Sequence, residues 1–196
     1  MKNVLAIGMT LAVLTSVGCQ KTDQDETTWK TVAPDRMSDD QAAQRDRALA
    51  AKDAMATRLK GRLMEALGSD TAAAAIVVCS EEAPQIAADV SQEHGVSIGR
   101  TSFRLRNPKN APPDWATQFV ADRTSEPIYL SDGHKLGALL PIRLEVACLM
   151  CHGPEDTIPQ DVKDAIGEHY PEDQATGFRK GDLRGWFWVE VPAADR

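Results

Sequence analysis

Ile128-Tyr129-Leu130-Ser131-Asp132-Gly133-His134-Lys135-Leu136-Gly137-Ala138-Leu139-Leu140-Pro141-Ile142-Arg143-Leu144 carries the clearest fold signal in the chain. Ile128 to Leu130 and Lys135 to Leu144 read as strands on either side of Asp132-Gly133. That dipeptide favours a tight hairpin, because its residues accept the positive φ that such turns require. Pro141 has no N–H to give a neighbouring strand, so the second strand must lie at an edge or bulge there. The region is therefore antiparallel β.

The flanks settle the class. Downstream, Asp161 to Tyr170 reads as a helix closed by Pro171, and Leu183 to Val191, aromatic and β-branched, as a last strand. Upstream, Ile98 to Arg106 alternates in the manner of a strand. Asn107 to Pro113 follows as a rigid turn, and Asp114 to Arg123 as a short helix capped by Asp114. Before Gly95 the chain is helical. Ser38-Asp39-Asp40-Gln41 has the form of a capping box. The helix it opens should run to about Leu67, stacking Met55, Leu59, Leu63 and Leu67 at four-residue spacing, with Gly68 ending it. Ser69-Asp70 can cap a second helix over Ala72 to Cys79, and Pro84 suits the first turn of a third, reaching His94. Helices first, then antiparallel strands interrupted by helices, predict an α+β domain with one sheet.

Directly after the predicted hairpin comes Cys148-Leu149-Met150-Cys151-His152. This Cys-x-x-Cys-His run reads as a covalent haem c attachment site. Two thiols two residues apart can add across the two vinyl groups of a haem, and the adjacent imidazole then becomes the proximal iron ligand. A Cys-x-x-Cys pair alone is shared with thioredoxin-like and zinc sites; the following histidine separates them. The alternative is a structural zinc or dithiol redox protein using Cys79, Cys148, Cys151 and His152. Adjacent Cys151 and His152 seldom both reach one tetrahedral ion.

Haem c is attached outside the cytoplasmic membrane, and the N-terminus has the matching form. Met1-Lys2-Asn3 is positively charged, and Val4 to Leu14 is apolar over the length of a signal-peptide core. Gly18-Cys19 then resembles a bacterial lipoprotein cleavage site, although Ser16 stands where Leu is preferred. The other reading is ordinary cleavage near Gly18. The expected organisation is a signal peptide over 1–18, a polar tether over 19–37 and one domain over 38–196. Either reading is periplasmic or otherwise extracytoplasmic. A lipid on Cys19 would be the single membrane attachment, and Gln20 rather than Asp after it points to the outer membrane. The net charge of −7 argues against nucleic acid as a partner.

Four cysteines in an exported chain make a further argument. With Cys148 and Cys151 bound to haem and Cys19 lipidated or removed, Cys79 has no cysteine partner. It is either a small buried hydrophobe at the end of Ile76-Val77-Val78 or an iron ligand opposite His152.

The chain resembles the PAS-like haem c domain family over about Asp39 to Val191. The resemblance is carried by Cys79-Ser80, Ala83-Pro84 and Ile86-Ala87, by Ile98 to Pro108, and by Asn110-Ala111-Pro112. Cys148 to Gly153, Tyr170-Pro171, Gly177-Phe178, Gly181-Asp182 and Arg184-Gly185 complete it. It implies a PAS-like single antiparallel sheet with a helical N-terminal extension, one covalent haem c, and His152 and the Cys79 thiolate as axial ligands. Relatives include sensory input modules, and the expectation here is a standalone member without an output domain. The expected roles are electron transfer or redox or gas sensing, with an unidentified redox or signalling partner and NO or CO as gas ligands. A held thiolate blocks the open iron position that oxygenase or peroxidase chemistry requires, so the expectation is that the protein is not an enzyme.

Other residues complete the reading. Arg100, Arg104 and Arg106 alternate along the predicted strand and should share a face, either clamping the haem propionates or meeting solvent. Met55 and Met64 keep register with the leucines and read as core. His94, His134 and His169 read as surface residues. Trp186, Phe187 and Trp188 read as sheet core, one of them a candidate haem-wall contact.

Overall fold

The computed structural model describes residues 28–69 and 73–194. The expected signal peptide, Cys19 and the Asp70 cap lie outside the described residues. The expected capping box is present: Gln41 N donates to Ser38 Oγ at 3.2 Å and Ser38 N to Gln41 Oε1 at 3.1 Å. Helix α1 runs Asp39–Ser69, carrying through Gly68 rather than ending there. Met55 and Leu59 are buried on its inner face.

The next two predicted helices are one helical run with a defect in it. Helix α2 (Ala74–Val77) passes into a π-turn over Val78–Glu82, and α3 (Ala83–His94) continues from there. Pro84 gives the physical reason. It has no N–H to return to the preceding turn, and its ring collides with the carbonyl four residues back, so an ordinary α-turn cannot pass through it. Gly95, at φ 59°, then closes α3 in the left-handed conformation.

Five strands form one antiparallel sheet: β1 (Lys30–Thr31), β2 (Ser97–Thr101), β3 (Ile128–Ser131), β4 (Lys135–Arg143) and β5 (Leu183–Pro192), in the order β1-β3-β4-β5-β2. The fold class is the one expected, α+β with a single antiparallel sheet and a helical N-terminal region, and is consistent with a PAS-like fold. The β3–β4 hairpin turns at Asp132-Gly133, where Asp132 Oδ1 accepts from the backbone of His134 and Lys135. Pairing with β3 stops at Leu139, so Pro141 leaves no ladder bond unmade on that side, and a bulge follows at Ile142/Arg143. β1 falls within the stretch expected to be a tether. Trp29 packs on Trp115 with ring centroids 5.5 Å apart, so folded structure begins before Ser38.

Two further elements differ from the sequence expectation. β2 ends at Thr101 instead of reaching Arg106, and the short helix is a 3-10 turn (Asp114–Ala116) followed by α4 (Thr117–Ala121), without a side-chain cap from Asp114. Both faces of the sheet are covered, which explains the nearly unbroken apolar run in β4. Leu136, Ala138 and Leu140 with Phe187, Val189 and Val191 pack under α1 and α3, while Leu139 and Trp186 face Trp115, Phe119 and α4. Each fully buried Leu, Val or Phe among them contributes roughly 1.5–3 kcal/mol.

Candidate functional site

The Cys-x-x-Cys-His run forms a single helical turn, a 3-10 turn over Val146–Cys148 passing into α5 (Leu149–His152). Two satellite cores hold it. Cys151 packs against the cluster of Ile76, Ile158, Val162, Ile166 and Tyr170, the last four on or beside α6 (Gln160–His169). Cys148 and Leu149 pack against Leu144, Ala175 and Phe178. Gly153 is required where the turn exits, because a Cβ there would lie 2.5 Å from the Leu149 carbonyl oxygen.

A cavity of about 350 Å³ opens beside this turn, within the ~300–1,000 Å³ typical of cofactor sites. Leu59, Leu63 and Leu67 of α1 form one wall. Cys79, Cys148, Cys151 and His152 all line it, although 69 positions separate the first two in sequence. None of these three cysteines is in a disulfide. Cys79 sits in the π-turn, so the backbone defect lies at the cavity wall and not in a neutral part of the helix. The run Ile76 to Cys79 is split: Ile76 and Val78 are core, Cys79 is half-buried.

His152 is oriented by a backbone contact, its Nδ1 lying 2.7 Å from the Ala175 carbonyl oxygen. A carbonyl can only accept, so Nδ1 carries the proton and Nε2 keeps its lone pair. Burial, then the nearby Arg106 and Arg184, holds the imidazole well below its ordinary pKa, and it is neutral. Burial pushes the Cys151 thiol up to about 11 and the Tyr170 phenol up to about 12. A thiol raised in this way is not the activated nucleophile of dithiol exchange. Among the described residues, no three His, Cys, Asp or Glu side chains converge as ligands of one metal ion, whereas a four-ligand zinc site needs such convergence.

The arginines separate. Arg100 and Arg106 line the cavity; Arg104 does not. Because β2 stops at Thr101, the three do not share one strand face. Arg104 donates to Gln174 O at 2.7 Å and lies over the Phe178 ring at 4.8 Å. Arg106 is buried in a bidentate pair with Asp173, 3.1 Å to each oxygen, and donates to Cys151 O at 2.6 Å. It thereby ties the Cys148–His152 turn to the loop that carries Ala175. Met64, expected in the core, is 51% exposed on the cavity rim, while Met55 is buried as expected. Phe187 lines the cavity; Trp186 is on the opposite face of the sheet. His134 is exposed, and His94 and His169 are half-buried.

Sequence reasoning missed three contributors: Arg184, Asp173 and the π-turn. A lone arginine in the aromatic stretch Leu183 to Val191 was the available signal for the first. Pro84 four residues after Ser80 was the signal for the last.

An α+β domain with one antiparallel sheet, helices on both faces and a cysteine- and histidine-lined cavity at one end is the class that fold and site define. The Tll0287-like family model (Tll0287) matches residues 29–192, and the chain belongs to that family. A solved structure described as the cyanobacterial heme-protein Tll0287 has the same fold. Its TM-score is 0.59 at 23% sequence identity, over 79% of this chain and 98% of that one. No curated protein matches the chain.

Proposed function

We propose that this protein is an extracytoplasmic c-type haem protein carrying one covalent haem, and that it acts in electron transfer or in redox or gas sensing. The observation that carries the reading is the single cavity lined by Cys148, Cys151, His152 and Cys79 together. The residues present fit the group: two free thiols at attachment spacing, a neutral imidazole with Nε2 available, and an apolar wall from α1. Family membership, with a relative described as a heme-protein, supports it from a second side.

Cys148 and Cys151 would hold the haem through thioethers, and His152 and Cys79 would bind its iron. When bound, the haem supplies a one-electron couple. Ala175 keeps His152 in the tautomer that can ligate, as the carbonyl or carboxylate partners of metal-bound histidines generally do. Cys79 would contribute a thiolate, a strong donor that favours ferric iron. With His152 and Cys79 both holding the iron, no open position for a substrate would remain on it, and we assign no enzymatic role. A redox or signalling partner, NO or CO as gas ligand, and a lipid anchor at Cys19 belong to the same proposal.

The test is direct. The protein produced with its leader in a host that attaches haem c should stain for haem on a denaturing gel, and changing Cys148 and Cys151 together to Ala should abolish the stain. A stain that survives the double change overturns covalent attachment. A colourless wild-type protein overturns the haem reading altogether.

A further inference from the structure

Arg184 is a charged side chain of the cavity lining with a buried donor left unmet. It sits near the start of β5, next to Gly185, whose backbone lies so close to β2 that a Cβ there would be 2.2 Å from Thr101 O. Arg184 Nη1 donates to Ser102 Oγ at 2.7 Å and to Arg104 O at 3.1 Å, both neutral acceptors. No carboxylate pairs with it. Its Nε is buried without a hydrogen-bond partner, and the other such side-chain atom among the described residues is Thr101 Oγ1. Both residues line the cavity, and so does Arg100. Two orphaned donors and a second guanidinium thus gather at one end of one cavity.

The charge balance points the same way. Arg106 is neutralised by Asp173, and Lys60 at the rim by Glu145 at 2.7 Å. Among the described residues no carboxylate forms an ion pair with Arg184, and Asp173, whose charge reaches it, is paired with Arg106. Burying an unpaired cation and leaving two buried donors unmet are both costly, so an arrangement of this kind implies an acceptor-only, negatively charged partner. A guanidinium recognises a carboxylate through its planar fork better than any other common anion except phosphate.

We propose that Arg184, with Arg100 and the Thr101 hydroxyl, forms a carboxylate-binding site at one end of the cavity, and that a haem propionate is the carboxylate it takes. The proposal rests on the haem reading above. It reassigns the clamp expected of Arg104 and Arg106, whose guanidiniums are committed to the protein's own groups. The propionate stays ionised beside Arg184, and the guanidinium cation favours the ferrous over the ferric state.

The experiment is a redox titration of the haem-loaded protein from about pH 5 to 9, comparing wild type with Arg184→Met, Arg184→Lys and Arg104→Gln. Wild type should hold a nearly constant potential and ignore added acetate. Arg184→Met should shift the potential downward, because a cation beside the iron is lost. It should also gain a pH-dependent segment, because the propionate it leaves unpaired now titrates. Arg184→Lys should keep most of the wild-type potential, and Arg104→Gln should match wild type. An Arg184→Met profile superimposable on wild type overturns the site. A wild-type potential that moves with acetate shows that a free carboxylate occupies it, which overturns the propionate assignment. If Arg184→Met does not fold, the propionate bending bands in the resonance Raman spectrum decide. They should differ between wild type and Arg184→Lys, and identical bands overturn the proposal. Absence of haem from wild type would instead refute the reading on which the site rests.

Discussion

His152 Nδ1 and the Ala175 carbonyl oxygen lie 2.7 Å apart, although 22 residues stand between them in the chain. The contact fixes the imidazole tautomer from a loop that Arg106 and Asp173 hold in place. His152→Ala should therefore retain haem through the two thioethers while losing the proximal ligand. Added imidazole should restore the low-spin absorption spectrum. A variant whose spectrum equals wild type without imidazole would show that His152 does not bind the iron.

Cys79 lines the cavity from the π-turn at Val78–Glu82. Cys79→Ala should leave covalent haem in place and change the ferric electron paramagnetic resonance spectrum away from that of a thiolate-ligated low-spin centre. The reduction potential should rise, since a donor that stabilises ferric iron is gone. Carbon monoxide should bind the reduced variant more readily. An unchanged resonance spectrum would falsify the ligand assignment and leave Cys79 as a packing residue.

The Arg106–Asp173 pair is nearly solvent-free, with side-chain exposures of 7% and 8%. Removing one partner strands the other charge, so Arg106→Met or Asp173→Asn alone should cost roughly 3–5 kcal/mol. The double change should cost less than the sum of the two. Urea unfolding of the haem-loaded proteins measures all three, and strict additivity would mean that the two side chains do not interact.

Gly185 cannot carry a side chain without displacing β2, given its 2.2 Å approach to Thr101 O. Gly185→Ala should destabilise the protein by about 1–3 kcal/mol or more, as overpacking against unyielding backbone does. Thermal denaturation followed by circular dichroism provides the measurement. A melting temperature equal to wild type would count against so close a contact.

Cys19→Ser should move the protein from the membrane fraction to the soluble periplasmic fraction with its haem spectrum intact. The motive is Gly18-Cys19 after the apolar core. Finding the unaltered protein already soluble would rule out the lipid anchor.

Local chemistry was enough to read much of this protein from its sequence. The Asp132-Gly133 turn set the β3–β4 hairpin, Ser38 and Gln41 set the start of α1, and Gly95 set the end of α3, because each acts on backbone groups within a few residues. The Cys148 to His152 motif was legible for the same reason, its chemistry being contained in one helical turn. Tertiary structure alone decided what surrounds that turn. The pairing of β2 with β5 places Arg100 opposite Phe187 and brings Thr101 and Arg184 to one end of the cavity; no spacing in the sequence encodes that register, since it depends on which strand edges remain open after the hairpin forms. The three arginines from 100 to 106 looked equivalent while the strand was taken to run through them. They diverged because β2 ends at Thr101, after which Asp173 claims Arg106, Phe178 and Gln174 claim Arg104, and Arg100 remains at the cavity. Cys79 could be a core residue or a cavity residue on sequence grounds alone. The π-turn forced by Pro84 and the packing of α3 against α1 decided that it faces the cavity.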